Sequence, residues 1–231
     1  MFDRPRPGGW TVGTDVTLGA AGRSGRGYLS EPPRPGPGVL VVPDRSGLTA
    51  GIRERCDWLA EAGFVALGVD LYAGRTADTP AAADRLAAQV DTGQARGLLA
   101  LAATQLRARP KLRPGRVGAV GLGPGGRLAL LTAGTGALDA VVAYYAVLPP
   151  EERSLLPCAV LLQLSGGPME QAAEARGFIR DLRLSGTEVT VRTWSGMSPG
   201  FADPGTEAYA ESVAFASWVE TAGFLAGHLR R

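Results

Sequence analysis

"VGAVGLGPGGRLALL", residues 117–131, is an apolar run that passes through a glycine-rich turn into a helical stretch. A strand, a tight turn and a helix in this order build a nucleophile elbow, G-x-S-x-G, whose apex presents a Ser or Cys at the top of an α/β sheet. Here the apex is Gly123, between Gly121 and Gly125. The same turn spells G-x-G-x-x-G through Gly121, Gly123 and Gly126, the dinucleotide fingerprint. That reading needs an acidic residue about twenty positions further on, where the next strand ends. The next strand ends in "VVAYYAV", and the first acid after it is Glu151, beyond two prolines. The elbow is the better reading, and no cofactor is expected.

Working outward, Val12 to Leu18 and Gly27 to Ser30 flank "GAAGRSG" and read as an antiparallel hairpin. Strand and helix patterns then alternate. "GVLVVP" (38–43) is a buried strand, "TAGIRERCDWLAEAG" (49–63) a helix, and "FVALGVDLY" (64–72) a strand. Thr79 and Pro80 supply an N-cap and first position for a long helix reaching about Leu106, broken near Gly93 or Gly97. After the elbow come the strands "LDAVVAYYAV" and "CAVLLQLS", a helix over 169–184, the strand "EVTVRTW" and a helix from about Thr206 to Leu229. This alternation implies right-handed crossovers and a mostly parallel, doubly wound sheet with an N-terminal antiparallel hairpin. Such sheets bind ligands at the carboxyl ends of their strands. Residues 1–231 are expected to form one domain, with 1–11 an irregular or flexible arm.

Composition excludes several classes of function. The 24 basic and 22 acidic residues leave a net charge of +2 and are scattered along the chain, so no run can track a phosphate backbone and nucleic acid is not an expected partner. No apolar segment approaches the roughly eighteen residues of a membrane span, and the N-terminus lacks a leader-like apolar core, so the expectation is a cytoplasmic protein with no membrane association. Cys56 and Cys158 are too few for a disulfide framework or a zinc site. Cys56 falls on an Ile52, Cys56, Leu59, Ala60 stripe and Cys158 opens an apolar strand, so both read as small buried hydrophobes.

The stretches "GRGYLSEP", "VVPDRSGL", "LAEAGFVALGVDLYAGR", "GRVGAVGLGPGGRLAL", "AVVAYYAV" and "WSGMSPGFADPGTEAYAESVAFASW" together resemble the dienelactone hydrolase family of α/β-hydrolases in order and spacing, from about residue 12 to 228. The resemblance implies an α/β-hydrolase fold and a Cys-His-Asp triad. Residue by residue, the cysteine position is Gly123, the acid falls on Met169 after "AVLLQLSGG", and the histidine falls on Pro199 before Gly200 and Phe201. The single histidine, His228, lies near the C-terminus. An independent physical point concerns Pro124: in an elbow the residue after the nucleophile donates its N–H to the oxyanion, and proline has none.

Asp44 takes the place of the family's active-site glutamate. It reads either as a general acid or base or as a loop cap paired with Arg45. Arg45 and Ser46 would share its pocket floor, and Arg75 is a candidate anion anchor or a solvated loop arginine. One of Tyr144 and Tyr145 is expected to reach the pocket, because strand alternation separates them. Trp194, Met197 and Ser198 line the loop where a histidine would sit, and the family's anchoring arginine is not found after "GFA", where Asp203 stands. Three functional readings follow. The pocket binds a small molecule and catalyses a non-hydrolytic cyclisation, dehydration or isomerisation; or the chain is a pseudoenzyme that binds a ligand or a protein; or it hydrolyses esters or lactones with an unconventional nucleophile. Whether it is an enzyme, and its oligomeric state, stay open at this point.

Overall fold

The computed structural model describes residues 12–20, 23–167 and 169–230; the N-terminal arm expected over 1–11 lies outside the described residues. Eight strands form one sheet in the order β1-β2-β4-β3-β5-β6-β7-β8. The hairpin is β1 (Thr14–Ala20) and β2 (Arg23–Ser30), and β2 also runs antiparallel to β4 (Val65–Asp70). From there β3 (Gly36–Val42), β5 (Leu112–Leu122), β6 (Ala140–Tyr144), β7 (Ala159–Ser165) and β8 (Val189–Trp194) are all parallel. The central strands are buried on both faces, which is why they read as continuous Val, Leu and Ala runs rather than as alternation.

Helices cover both faces. On one lie α1 (Ala50–Glu61) and α6 (Glu211–Leu229), and the stripe of α1 that is buried is Ile52, Cys56, Leu59 and Ala60. On the other lie α3 (Thr92–Arg107), α4 (Pro124–Ala133) and α5 (Met169–Leu184). The break expected near Gly93 or Gly97 is present and divides the stretch from Thr79 into two helices. After α2 (Pro80–Ala87), capped by the Thr79 hydroxyl, the chain breaks before either glycine, because the Asp91 carboxylate accepts the Gln94 N–H at 2.7 Å and starts α3 afresh. The last helix begins at Glu211 rather than near Thr206, since the Thr206 hydroxyl is bonded to the carbonyls of Gly200 and Asp203 in a turn. The strand expected through "AVVAYYAV" stops at Tyr144, where Tyr145 turns into the left-handed region with φ 54°.

The order β4-β3-β5 places the topological switch between β3 and β5, which leave the sheet in opposite directions and open a crevice at their carboxyl ends. Val42 of β3 sits beside Gly121 of β5, so Asp44 and Gly123, each two residues further on, emerge side by side. What holds that crevice is backbone-on-backbone contact. A Cβ at Gly121 would lie 2.3 Å from the Gly125 carbonyl oxygen, and one at Gly125 would lie 2.2 Å from that of Pro43. Gly121→Ala therefore has to push α4 off the sheet and is expected to cost about 2–4 kcal/mol of stability, read from urea unfolding. Gly136→Ala, in a turn with open space around it, is the control and should cost about 1–2 kcal/mol from its left-handed backbone alone.

Candidate functional site

Gly123 stands at the apex of the β5–α4 turn with φ 50° and ψ −119°, its N–H bonded to the Tyr144 carbonyl at 2.9 Å. A Cβ there would meet nothing within 4 Å, so the apex opens into free space. Pro124 opens α4 and contributes no N–H to that space. Two cavities meet at this point. One of about 390 Å³ is bounded by Asp44, Arg45, Asp84 and Asp203, and the other, of about 680 Å³, by Ala146, Val147, Leu164, Ile179 and Val191. Gly123, Pro124, Tyr145 and Pro199 line both.

Asp44 is held from two sides. Its Oδ1 accepts the Ser46 N–H at 2.8 Å, its carbonyl accepts the Tyr72 hydroxyl at 2.8 Å, and Asp203 lines the same cavity. Burial in the crevice is the first cause that pushes the Asp44 carboxyl from 3.8 up to about 6, and the neighbouring Asp203 charge is the second. Arg45, on the same cavity wall, opposes this only weakly, because its guanidinium pairs with Asp84 on α2 at 2.6 Å. Asp203 is fixed in turn by the Gly205 N–H at 3.0 Å.

The remaining residues expected at the site divide between wall and scaffold. Tyr145 lines both cavities and its hydroxyl accepts the Ala202 N–H at 2.6 Å. Tyr144 points the other way, fully buried, with its hydroxyl 2.8 Å from Thr221 on α6 and its ring stacked on Trp218, so it does not line the cavities. Arg75 bonds the Tyr72 carbonyl and Gln89 and stands outside both cavities as a loop latch. Trp194 donates its indole N–H to Gln163 at 2.7 Å and packs on Phe201, and Met197 joins the same apolar cluster; neither lines a cavity. Ser46 acts through its backbone, and the Ser198 carbonyl serves a turn to Phe201. Met169 is the first residue of α5.

His228 lies at the far end of the molecule. It stacks on Phe224, sits 3.7 Å from Glu188, and its carbonyl takes a bond from Arg116, while the adjacent Leu229 packs against Gly118 near the start of the parallel part of β5. Burial pushes the Cys56 thiol up, and it pushes that of Cys158 up to about 12; both stand on scaffold elements away from Gly123. Among the described residues no group of three or more His, Cys, Asp or Glu is arranged to hold a metal ion, and no helix is long and apolar enough to cross a membrane.

Among the cavity residues that sequence reasoning did not put in the site are Asp84, Asp203 and Thr206 in the smaller lobe and Arg127, Glu174 and Arg176 in the larger. Asp203 carried a usable signal: it follows the "GFA" segment that marks the loop facing the elbow, and only its sign differs from an anchoring arginine.

Over residues 26–229 the chain matches the model of the dienelactone hydrolase family. It is 28% identical over 219 residues to protein usf of Aquifex pyrophilus, covering 88% of this chain and 94% of that one. It is 33% identical over 122 residues to carboxymethylenebutenolidase of Pseudomonas putida, covering 49% of this chain and 51% of the enzyme, so it spans about half the length of that relative. A Bradyrhizobium relative with a lactonase name is matched over 60% of its length. Among solved structures, a dienelactone hydrolase-like promiscuous phosphotriesterase from metagenomic libraries superposes with a TM-score of 0.81 over 95% of this chain and 99% of that one, and at 21% identity this likeness is one of fold. With the doubly wound sheet, the N-terminal hairpin and the elbow turn in place, the chain belongs to the dienelactone hydrolase family of α/β-hydrolases.

Proposed function

We propose that this family member has lost the hydrolytic triad and that its cavity carries out a non-hydrolytic proton transfer on a small molecule, an isomerisation, cyclisation or dehydration, with Asp44 as the general acid–base. The observation that carries the reading is the Asp44 carboxyl, set in the cavity beside the side-chain-free apex, with Asp203 on the same cavity wall and its own pKa raised to about 6. A proton-transfer group works best when its pKa lies near the working pH, so that both forms are populated.

The case against hydrolysis is chemical. Gly123 has nothing to attack with, Pro124 has no oxyanion donor, and Met169 and Pro199 stand where the resemblance would put the acid and the histidine. Loss of one oxyanion donor alone typically costs a factor of about 10² to 10³ in rate. The paired aspartates also disfavour a substrate carboxylate in their lobe, whereas a neutral molecule can occupy it. The names of the lactone-hydrolysing relatives favour the competing reading, which the following measurements separate from ours.

Purified protein is expected to leave p-nitrophenyl esters and enol lactones at the buffer rate and to escape labelling by serine- or thiol-directed probes. Gly123→Cys should not restore turnover, because no imidazole faces position 123 to lower the thiol pKa. Stoichiometric labelling of Ser198 with loss of esterase turnover would establish the hydrolytic reading instead.

Asp44→Asn should lower turnover of the native substrate by roughly 10² or more while binding persists. The same variant tests the electrostatics. A carboxyl whose folded pKa is raised adds stability in its protonated form, present below about 3.8 and lost as pH rises through about 6. Melting curves across that window should fall for the parent chain relative to Asp44→Asn, which stays neutral and is expected to be the more stable of the two at pH 7.

A further inference from the structure

Tyr145 combines features that scaffold alone does not require. It holds a left-handed backbone, φ 54°, which bulky residues seldom adopt, and its N–H is bonded to the Gln163 carbonyl at 3.0 Å. Its ring is fixed edge-on against Phe201 and Tyr144, at centroid distances of 5.0 and 5.7 Å. The hydroxyl oxygen accepts the Ala202 N–H at 2.6 Å, so its own proton is directed elsewhere, and among the described residues no acceptor takes it. The side chain stands where the two cavities meet, beside Gly123 and Pro124.

We infer that Tyr145 donates a hydrogen bond to the carbonyl oxygen of the substrate and stabilises the enolate formed when Asp44 removes a proton from the adjacent carbon. The inference rests on the reading of Asp44 given above and names the substrate class: a neutral, largely apolar carbonyl compound with a carbon–carbon double bond one carbon removed from conjugation. Its apolar body fits the part of the larger lobe lined by Ala146, Val147, Leu164, Ile179 and Val191, away from the Arg127, Glu174 and Arg176 side chains that also line that lobe, and its carbonyl faces the junction.

The step balances within the pair. The Asp44 carboxylate takes the proton, the C–H electrons form a carbon–carbon double bond, and the carbonyl π electrons move to oxygen, where Tyr145 meets the charge. Asp44, now the acid, returns the proton to the γ-carbon while the enolate collapses, leaving the conjugated isomer. No water, oxidant or external acid is consumed. Tyr145 thereby supplies the donor that Pro124 cannot, from the opposite wall of the junction. An N–H aimed at the phenol oxygen makes the O–H a better donor, as in chains of cooperative hydrogen bonds.

The test uses the full chain with two probes, 3-cyclohexen-1-one as substrate and phenol as a planar mimic of the enolate. Conversion to 2-cyclohexen-1-one is followed by ultraviolet absorbance and phenol binding by titration calorimetry. The parent chain should accelerate the conversion above buffer. Tyr145→Phe should slow it by roughly 10² and weaken phenol about tenfold, in line with the loss of one preorganised donor. Asp44→Asn should abolish conversion and leave phenol affinity within about threefold. If Asp44→Asn abolishes conversion while Tyr145→Phe changes neither readout, the role of Tyr145 is overturned and that of Asp44 stands. If Asp44→Asn converts at the parent rate, the acid–base reading itself falls. A parent chain that neither converts the ketone nor binds phenol overturns the inference. Because Tyr145→Phe leaves the Ala202 N–H without its acceptor, fluorotyrosine at position 145 provides a variant that keeps both shape and bond. Its greater acidity should shift the rate and the phenol affinity together, and no shift in either overturns the proposal.

Discussion

Where β5 turns into α4, backbone packs directly on backbone: Gly121 lies under Gly125, and Gly125 lies against the carbonyls of Val42 and Pro43 at the end of β3. No side chain larger than hydrogen fits between these segments. That approach seats the N-terminus of α4 at the switch point of the sheet and fixes the positions of the two loops that leave β3 and β5. The crevice is therefore a property of the backbone and does not depend on what the apex residue carries. A chain can exchange a reactive side chain at position 123 for glycine and keep the crevice, since the apex itself touches nothing.

Once the crevice is set, charge decides its character. Asp44 enters it at the end of a buried strand, and the guanidinium next to it in sequence leaves for Asp84. The nearest charge that remains is another carboxylate, Asp203, so burial and like-charge repulsion act in the same direction on Asp44. An arginine at 203 would have reversed the second effect and held Asp44 ionised. Burial is the larger cause of the shift, and Asp203 adds to it where an arginine would have opposed it. The ion pair of Arg45 with Asp84 is exposed and contributes little to stability by itself. Its effect on the site is to engage the Arg45 guanidinium with Asp84, which leaves it a minor influence on Asp44.

Much of the fold was legible because its signals are local. Strands buried on both faces give unbroken apolar runs, the α1 stripe follows the helical period, and Thr79-Pro80 is a helix start in two residues. The differences also have local causes: the Asp91 cap sets the helix break just ahead of Gly93, and Tyr145 ended a strand that "AVVAYYAV" would have extended. At the site, Asp44, Gly123, Pro124 and Pro199 could be placed from position on the strand ends alone. Asp203 could not, because its importance comes from meeting a residue 159 positions away in sequence. Which of the two tyrosines faces the cavities was likewise undecided by alternation, since that depends on a backbone turn to which the pattern is blind.

That turn also relocates strain. In an elbow the left-handed residue at the apex normally carries a side chain, and the surrounding fold bears the cost of holding it there. Glycine at 123 removes that cost, because positive φ is ordinary for glycine. The neighbouring position 145 then keeps a left-handed conformation with a full aromatic side chain, at a cost of about 1–3 kcal/mol. Edge-on contacts with Phe201 and Tyr144, each worth about 0.5–1.5 kcal/mol, and a 2.6 Å bond from the Ala202 N–H offset it. A leucine at 145 would fill the same wall without needing the bond. These local contacts hold the Tyr145 ring at the wall shared by the two cavities, with its hydroxyl bonded by the Ala202 N–H.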